Sequence, residues 1–391
     1  MDFLEHYLGQ VKQRDLYRAL HTYQPIDATH VQSEGKTYLM LASNNYLGLT
    51  HCRAVQQAAV EAIAKYGTGS GGARLTTGTH PLYSPLEEEL AAFKGTEAAL
   101  IFNTGYMANV GVISALLGKD DVIFSDELNH ASIIDGCRLA RARTVVFRHS
   151  DMEHLAELLA STPCSGRRLI VVDGVFSMDG DIAPLAAIVE LAERYDAIVM
   201  VDDAHGTGVI GGGRGTAAHF GLKGKVQVQM GTLSKALGSE GGYVAGSRQL
   251  IEYLINKARS FIFSTALAPA TVAAARAALA EIQKRPELVD KLAANAWFMR
   301  EKLTAAGLSV EPGQTPIIPV IVGEAGVAVE LAKELKEAGL IITAIRPPTV
   351  PHGASRLRLT VSAAHNQDEL ARAADQITAA AQRLGIAERG I

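Results

Sequence analysis

The chain reads as an α/β protein. Its centre is a mostly parallel seven-stranded sheet with helices on both faces, and a smaller α+β part follows it. Three observations predict this. From about residue 98, short apolar runs rich in β-branched residues alternate with amphipathic stretches, as in a parallel sheet covered on both sides. After Phe263 the pattern turns helical over a long span, with Pro269 near its start and Pro286 interrupting it. From about residue 308 a second, shorter set of strands and helices begins. At 391 residues the chain is long enough for one large and one small domain.

The elements follow in order. Residues 2–22 predict a helix, because Phe3, Leu4, Tyr7, Leu8, Val11, Leu16 and Leu20 recur at roughly helical spacing. Its cations Lys12, Arg14 and Arg18 suit a solvated face. A short extended stretch over 37–41 leads to an Asn-rich loop, Ser43-Asn44-Asn45-Tyr46-Leu47-Gly48-Leu49. A helix over 53–66 runs into a glycine-rich loop, Gly67-Thr68-Gly69-Ser70-Gly71-Gly72-Ala73-Arg74. On its own this is more often a turn than an anion cradle. A helix over 84–94 follows, with Ser84 as its expected cap. The predicted strands are 98–102, 121–124, 144–147, 169–173, 197–202, 226–230 and 243–245, with helices between most of them over 105–117, 131–141, 151–160 and 184–195. Beyond residue 308 come strands near 317–322, 341–345 and 357–361 and helices near 325–338 and 367–384. The expected domains are an N-terminal arm over 1–45, a large domain over 46–285 and a small α+β domain over 286–391.

Bulk composition narrows the function. A net charge of −4 offers no basic field for nucleic acid. Cys52, Cys137 and Cys164 stand far apart with no metal-ligand spacing, so reduced thiols in the cytoplasm are expected. The N-terminus has neither the basic start nor the apolar core of a signal peptide, and no span is apolar enough to suggest a membrane helix.

Ligands of parallel sheets bind beyond the carboxyl ends of the strands, and the residues there are unusual. One strand ends in Asn103-Thr104-Gly105-Tyr106, opening a helix; this suits a phosphate site or an ordinary strand–helix turn equally. The next brings His130, which is either a satisfied loop histidine or a ligand-facing one. Then come Ser177 in a turn and Asp202-Asp203-Ala204-His205, whose two acids and imidazole at the end of an apolar strand favour a functional reading. Last is Gly231-Thr232-Leu233-Ser234-Lys235-Ala236-Leu237-Gly238. A lysine among small and hydroxylated residues after an apolar run suits an amine of depressed pKa that attacks an aldehyde. Together the five ends supply a lysine, an acid, an imidazole, hydroxyl donors and a phosphate cup, the set that pyridoxal phosphate requires.

The runs Asp202-Asp203-Ala204-His205-Gly206-Thr207-Gly208 and Thr232-Leu233-Ser234-Lys235-Ala236-Leu237-Gly238 together resemble the α-oxoamine synthases, fold-type I pyridoxal phosphate enzymes of the aspartate aminotransferase-like fold. The resemblance extends from Ser43 to Arg358. It implies condensation of an amino acid with an acyl thioester, with loss of carbon dioxide. It also implies roles. Lys235 matches the lysine that forms a Schiff base with the cofactor, Asp202 the acid at its pyridine nitrogen, and His130 the histidine stacked on the ring. Ser177 and His205 match residues near the phenolic oxygen, while Gly105, Tyr106 and Thr232 match the phosphate end. Ser264 or Thr265 would reach the phosphate of a partner subunit, which implies a homodimer with sites at the interface. Asn44 and Arg358 match the amino acid carboxylate site, and Arg18 and Thr349 the acyl site. The run Ala344-Ile345-Arg346-Pro347-Pro348-Thr349-Val350-Pro351 most resembles the members that join L-alanine to a pimeloyl group carried on coenzyme A or acyl carrier protein. The rival readings are a sister reaction with glycine and a short acyl thioester, and an aminotransferase on the same fold.

Overall fold

The computed structural model describes residues 1–13 and 17–386. Its central sheet has seven strands: Ala98–Phe102 (β1), Val122–Asp126 (β2), Arg143–Phe147 (β3), Arg168–Asp173 (β4), Ala197–Asp202 (β5), Val228–Thr232 (β6) and Gly242–Gly246 (β7). Their order across the sheet is β1-β7-β6-β5-β4-β2-β3. The pairs from β6 to β3 are all parallel. β7 runs antiparallel to both of its neighbours, β1 and β6.

The sequence of β4 explains how the sheet is covered. Leu169 and Val171 point into one apolar cluster, with Val112 and Ile113 of helix Gly105–Leu116 and Ile133 of helix Ala131–Ala140. Ile170 and Val172 point into the opposite cluster, with Leu155 of helix Met152–Ser161 and Ile188 of helix Leu185–Arg194. A period of two with apolar residues on both sides needs helices on both sides. Each buried Val, Ile or Leu contributes about 1.5–3 kcal/mol to that packing.

From β2 the chain runs outward to β3 and then returns past β2 to β4. The crevice at this reversal, beyond the carboxyl ends of β2 and β4, is where such sheets hold ligands.

The remaining strands form two small sheets. Ile317–Gly323, Ser355–Thr360 and Thr343–Ile345 make an antiparallel one. Gln24–Pro25, His30–Ser33, Lys36–Met40 and Leu340–Ile341 make the other. The strand expected near 341–345 is therefore two strands, one in each sheet. The largest apolar cluster is continuous from Leu39 and Leu90 through Leu279 to Leu331 and Ile377.

Three local expectations are corrected. The first helix spans Asp2–Gln13, not 2–22, and residues 17–22 are not helical. None of its residues is buried, and Leu20 is fully exposed, so no packing rewards a longer helix. Arg14 and Leu16 lie outside the described residues. Helix Tyr83–Lys94 starts after Leu82 with no side-chain cap, so Ser84 does not cap it. The strand expected over 226–230 is β6, two residues later. Its register on β7 pairs Thr232 with Gly242.

Candidate active site

The carboxyl ends of β1, β2, β4, β5 and β6 enclose a cavity of about 210 Å³. Gly105 and Tyr106 after β1, His130 after β2, Ser177 after β4, Asp202 and His205 at β5, and Thr232 and Lys235 at β6 all line it.

The β1 end is a helix N-terminus. The Thr104 hydroxyl accepts from the Met107 N–H at 3.0 Å, and the Thr104 carbonyl accepts from Ala108. The amides of Gly105 and Tyr106 remain for an anion. A Cβ at position 105 would come within 3.0 Å of Met230 Cε and 3.6 Å of Thr232, so glycine keeps this end of the cavity open. The Tyr106 side chain points elsewhere, to Asp135. The Thr232 hydroxyl donates to the Gly241 carbonyl at 2.8 Å, and Ser234 Oγ stands 2.7 Å from it. Ser234 also lines the cavity.

The opposite wall is charged. Asp202 is buried, and its two oxygens accept from Ala204 N–H at 2.9 Å and Asn109 Nδ2 at 2.6 Å. Burial lowers the pKa of Lys235, with the Arg358 charge adding to this and the Asp202 and Asp173 charges opposing it. Burial, with the charges of Lys235 and Arg358, holds His205 well below the ordinary histidine range, so its ring is neutral. Burial and the neighbouring Asp202 charge push the Asp173 carboxyl well up, against the hydrogen bond it accepts from His130 N–H at 2.8 Å.

Asn44 and Arg358, expected at the substrate carboxylate, do not line the cavity; they form a wall beside it, joined to it through Ser177. Arg358 Nη2 donates to Asn44 Oδ1 at 3.3 Å, and its Nε donates to the Ser177 carbonyl. Tyr46 OH bonds His205 Nδ1 at 2.7 Å, which ties this wall to the end of β5.

The remaining four expected residues also lie outside the cavity lining. Thr349 lines a separate, larger cavity of about 1720 Å³, together with Leu128, Ile134, Val329 and Arg346. Arg18 is exposed and lines neither space; its neighbour Tyr17 lines the larger one. Ser264 Oγ donates to the Ser260 carbonyl at 2.7 Å, and the Thr265 carbonyl accepts from Asn103 at 2.6 Å.

Asp203 also departs from the sequence reading, which set it beside Asp202 as a functional acid. It follows the last residue of β5, where its N–H still bonds the Met230 carbonyl at 2.8 Å, so its side chain keeps the strand's alternation and faces away from that of Asp202. There it forms a buried ion pair with Lys94 at 2.8 Å and accepts from Thr216. Other site residues escaped that reading. Asn109 and Asp173 line the cavity but look like helix and strand interior. Tyr46 sits in the loop that was singled out only for Asn44.

A family model for class I and II aminotransferases matches residues 36–377. The 8-amino-7-oxononanoate synthase of Geobacter sulfurreducens is 52% identical over 383 residues, covering 97% of this chain and 98% of its own. That of Lysinibacillus sphaericus is 49% identical over 380 residues, covering 97% and 98%. The chain belongs to the class I and II aminotransferase family, among its α-oxoamine synthases. A serine palmitoyltransferase from S. paucimobilis, solved with a bound PLP–myriocin aldimine, superposes on this α-oxoamine synthase with a TM-score of 0.93 at 33% identity, covering 98% of each chain. The Sphingomonas wittichii serine palmitoyltransferase does so at 0.94 and 32%, covering 99% of this chain and 98% of its own.

Pyridoxal phosphate is the cofactor of this enzyme family, and the cavity fits it on three counts. The Gly105–Tyr106 amides and the space above Gly105 suit a phosphate. Lys235 is an amine of lowered basicity, suited to attack an aldehyde. Asp202 has two of its roughly four lone-pair sites occupied, which leaves acceptor capacity for a ring N–H.

Proposed function

We propose that this α-oxoamine synthase condenses L-alanine with a pimeloyl thioester to give 8-amino-7-oxononanoate, carbon dioxide and free thiol, a step of biotin biosynthesis. The observation that carries this is the 52% identity, over nearly the full length of both chains, to an 8-amino-7-oxononanoate synthase. The larger cavity supports it: apolar Leu128, Ile134 and Val329 with the cation Arg346 suit an acyl chain that ends in a carboxylate.

In this reading Lys235 holds the cofactor covalently and Asp202 faces its ring nitrogen. His130 meets the ring, Ser177 and His205 serve the phenolic oxygen, and Gly105, Tyr106 and Thr232 serve the phosphate. When bound, the cofactor supplies an electron sink for negative charge at the amino acid Cα. Arg358 and Asn44 bind the alanine carboxylate, the guanidinium by its rigid fork of donors. Lys235 Nζ, with its pKa lowered by burial, takes the Cα proton. Cα then bonds to the thioester carbonyl carbon and the thiol leaves. The original carboxylate departs as carbon dioxide, and Lys235 returns a proton to Cα. Thr349 and Arg18 serve the acyl substrate. A homodimer completes the reading: Ser264 and Thr265, away from this chain's cavity, reach the partner's cofactor phosphate.

The test is turnover of the cofactor-loaded enzyme with alanine or glycine against pimeloyl or acetyl thioesters, following thiol and carbon dioxide. Alanine with pimeloyl thioester should be the fastest pair. Faster turnover of glycine with acetyl thioester would instead mark the sister reaction. Amino transfer to a keto acid without carbon dioxide would mark an aminotransferase.

A further inference from the structure

Asn109 is fully buried on helix Gly105–Leu116, where a polar side chain has no local reason to be. Its Nδ2 lies 2.6 Å from Asp202 Oδ2 and 2.8 Å from Ser132 Oγ. Ser132 Oγ in turn lies 2.7 Å from His130 Nδ1. The direction of every link follows from two groups that work one way only. A carboxylate accepts, so the amide presents NH₂ to Asp202 and its second hydrogen goes to Ser132 Oγ. The Ser132 backbone N–H, 3.2 Å from His130 Nδ1, can only donate. Nδ1 therefore carries a lone pair, and the Ser132 hydroxyl donates to it as well. Asn109 Oδ1 is buried with no partner among the described residues. The two Nδ2 bonds alone thus set the amide, and a flip would press an oxygen against a carboxylate.

We infer that Asn109 and Ser132 are positioning residues that hold His130 in the neutral tautomer with its proton on Nε2, so that the ring offers a donor to a carbonyl or carboxylate oxygen of the substrate. The tautomer rests on the hydrogen-bond chain alone. Its use toward substrate rests on the function proposed above. Partial desolvation and the Lys235 charge, with the Asp202 charge opposing, lower the His130 pKa, in keeping with a neutral ring.

The experiment uses the cofactor-loaded enzyme labelled with ¹⁵N-histidine and without substrate. The His130 ring signals are assigned by their loss in His130→Gln. At neutral pH, Nδ1 should be unprotonated and Nε2 protonated. A protonated Nδ1, in the other tautomer or the imidazolium, overturns the inference. Ser132→Ala should move the Nδ1 signal and lower kcat roughly tenfold with little change in the amino acid KM. Ser132→Thr should restore both, which a purely structural role would not require. An unmoved signal in Ser132→Ala also overturns the inference. Asn109→Leu should resemble Ser132→Ala; if it does not fold, the wild-type spectrum and the Ala/Thr pair still decide. The expected spectrum in an enzyme inactive on alanine and pimeloyl thioester contradicts the substrate assignment and leaves the tautomer standing.

Discussion

Tyr46 and His205, 159 residues apart in the chain, share a 2.7 Å hydrogen bond between the phenol and Nδ1. The phenol also donates to Asn44 Oδ1 at 3.2 Å, so His205 Nδ1 carries the hydrogen of the shorter bond. Burial pushes the Tyr46 pKa up to about 12 against the Arg358 charge, so the phenol keeps its proton. Tyr46→Phe leaves His205 Nδ1–H and Asn44 without that oxygen. It should destabilise the fold by about 1–3 kcal/mol in urea unfolding. It should also raise the amino acid KM, because Asn44 and Arg358 share the same wall.

His149 stands between two acids, 3.0 Å from Asp126 and 3.0 Å from Asp181. Burial opposes its charge, but hydrogen bonds to both carboxylates outweigh that and raise its pKa from 6.5 to about 10. A raised pKa stabilises the fold fully below the unfolded value near 6.5, and the contribution is lost as pH rises through about 10. The stability difference between wild type and His149→Gln should therefore shrink between neutral pH and pH values above about 10. A constant difference across that window would contradict the ion-pair role.

Lys94 and Asp203 form an ion pair with both side chains fully buried. Lys94→Met leaves Asp203 buried and uncompensated, and such breaks cost about 3–5 kcal/mol. Thermal unfolding should show a loss of that order. A loss within about 0.5 kcal/mol, as at an ordinary surface site, would contradict the pairing.

Gly105→Ala places a methyl 3.0 Å from Met230 Cε at the phosphate end of the cavity. Cofactor affinity should fall roughly tenfold, the equivalent of about 1.4 kcal/mol, while the apoprotein's unfolding midpoint stays nearly the same. Unchanged affinity would move the phosphate away from this helix end.

The sheet and most of the cavity were legible because both depend on local pattern. β-branched runs separated by amphipathic stretches mark a parallel sheet, and its rule of ligand position points at Lys235, Asp202 and His130 together. What escaped depends on partners distant in sequence. Asn109 is one polar residue inside a helix, and its meaning lies 93 residues away at Asp202. Asp203 looks like a twin of Asp202 in sequence, but the alternation that continues past the end of β5 turns it toward Lys94, 109 residues away. The apolar spacing that suggests a helix over 2–22 is real, but no residue of helix Asp2–Gln13 is buried, and residues 17–22 are not helical.

Covalent attachment of the cofactor at Lys235 is the most direct test. Borohydride reduction of the cofactor-loaded enzyme, followed by digestion and mass spectrometry, should find the reduced pyridoxyl group on the peptide containing Lys235. Lys235→Ala should lack both this label and the visible absorbance of the Schiff base between the lysine and the cofactor. A label on another lysine, or an unchanged spectrum in Lys235→Ala, would contradict the assignment.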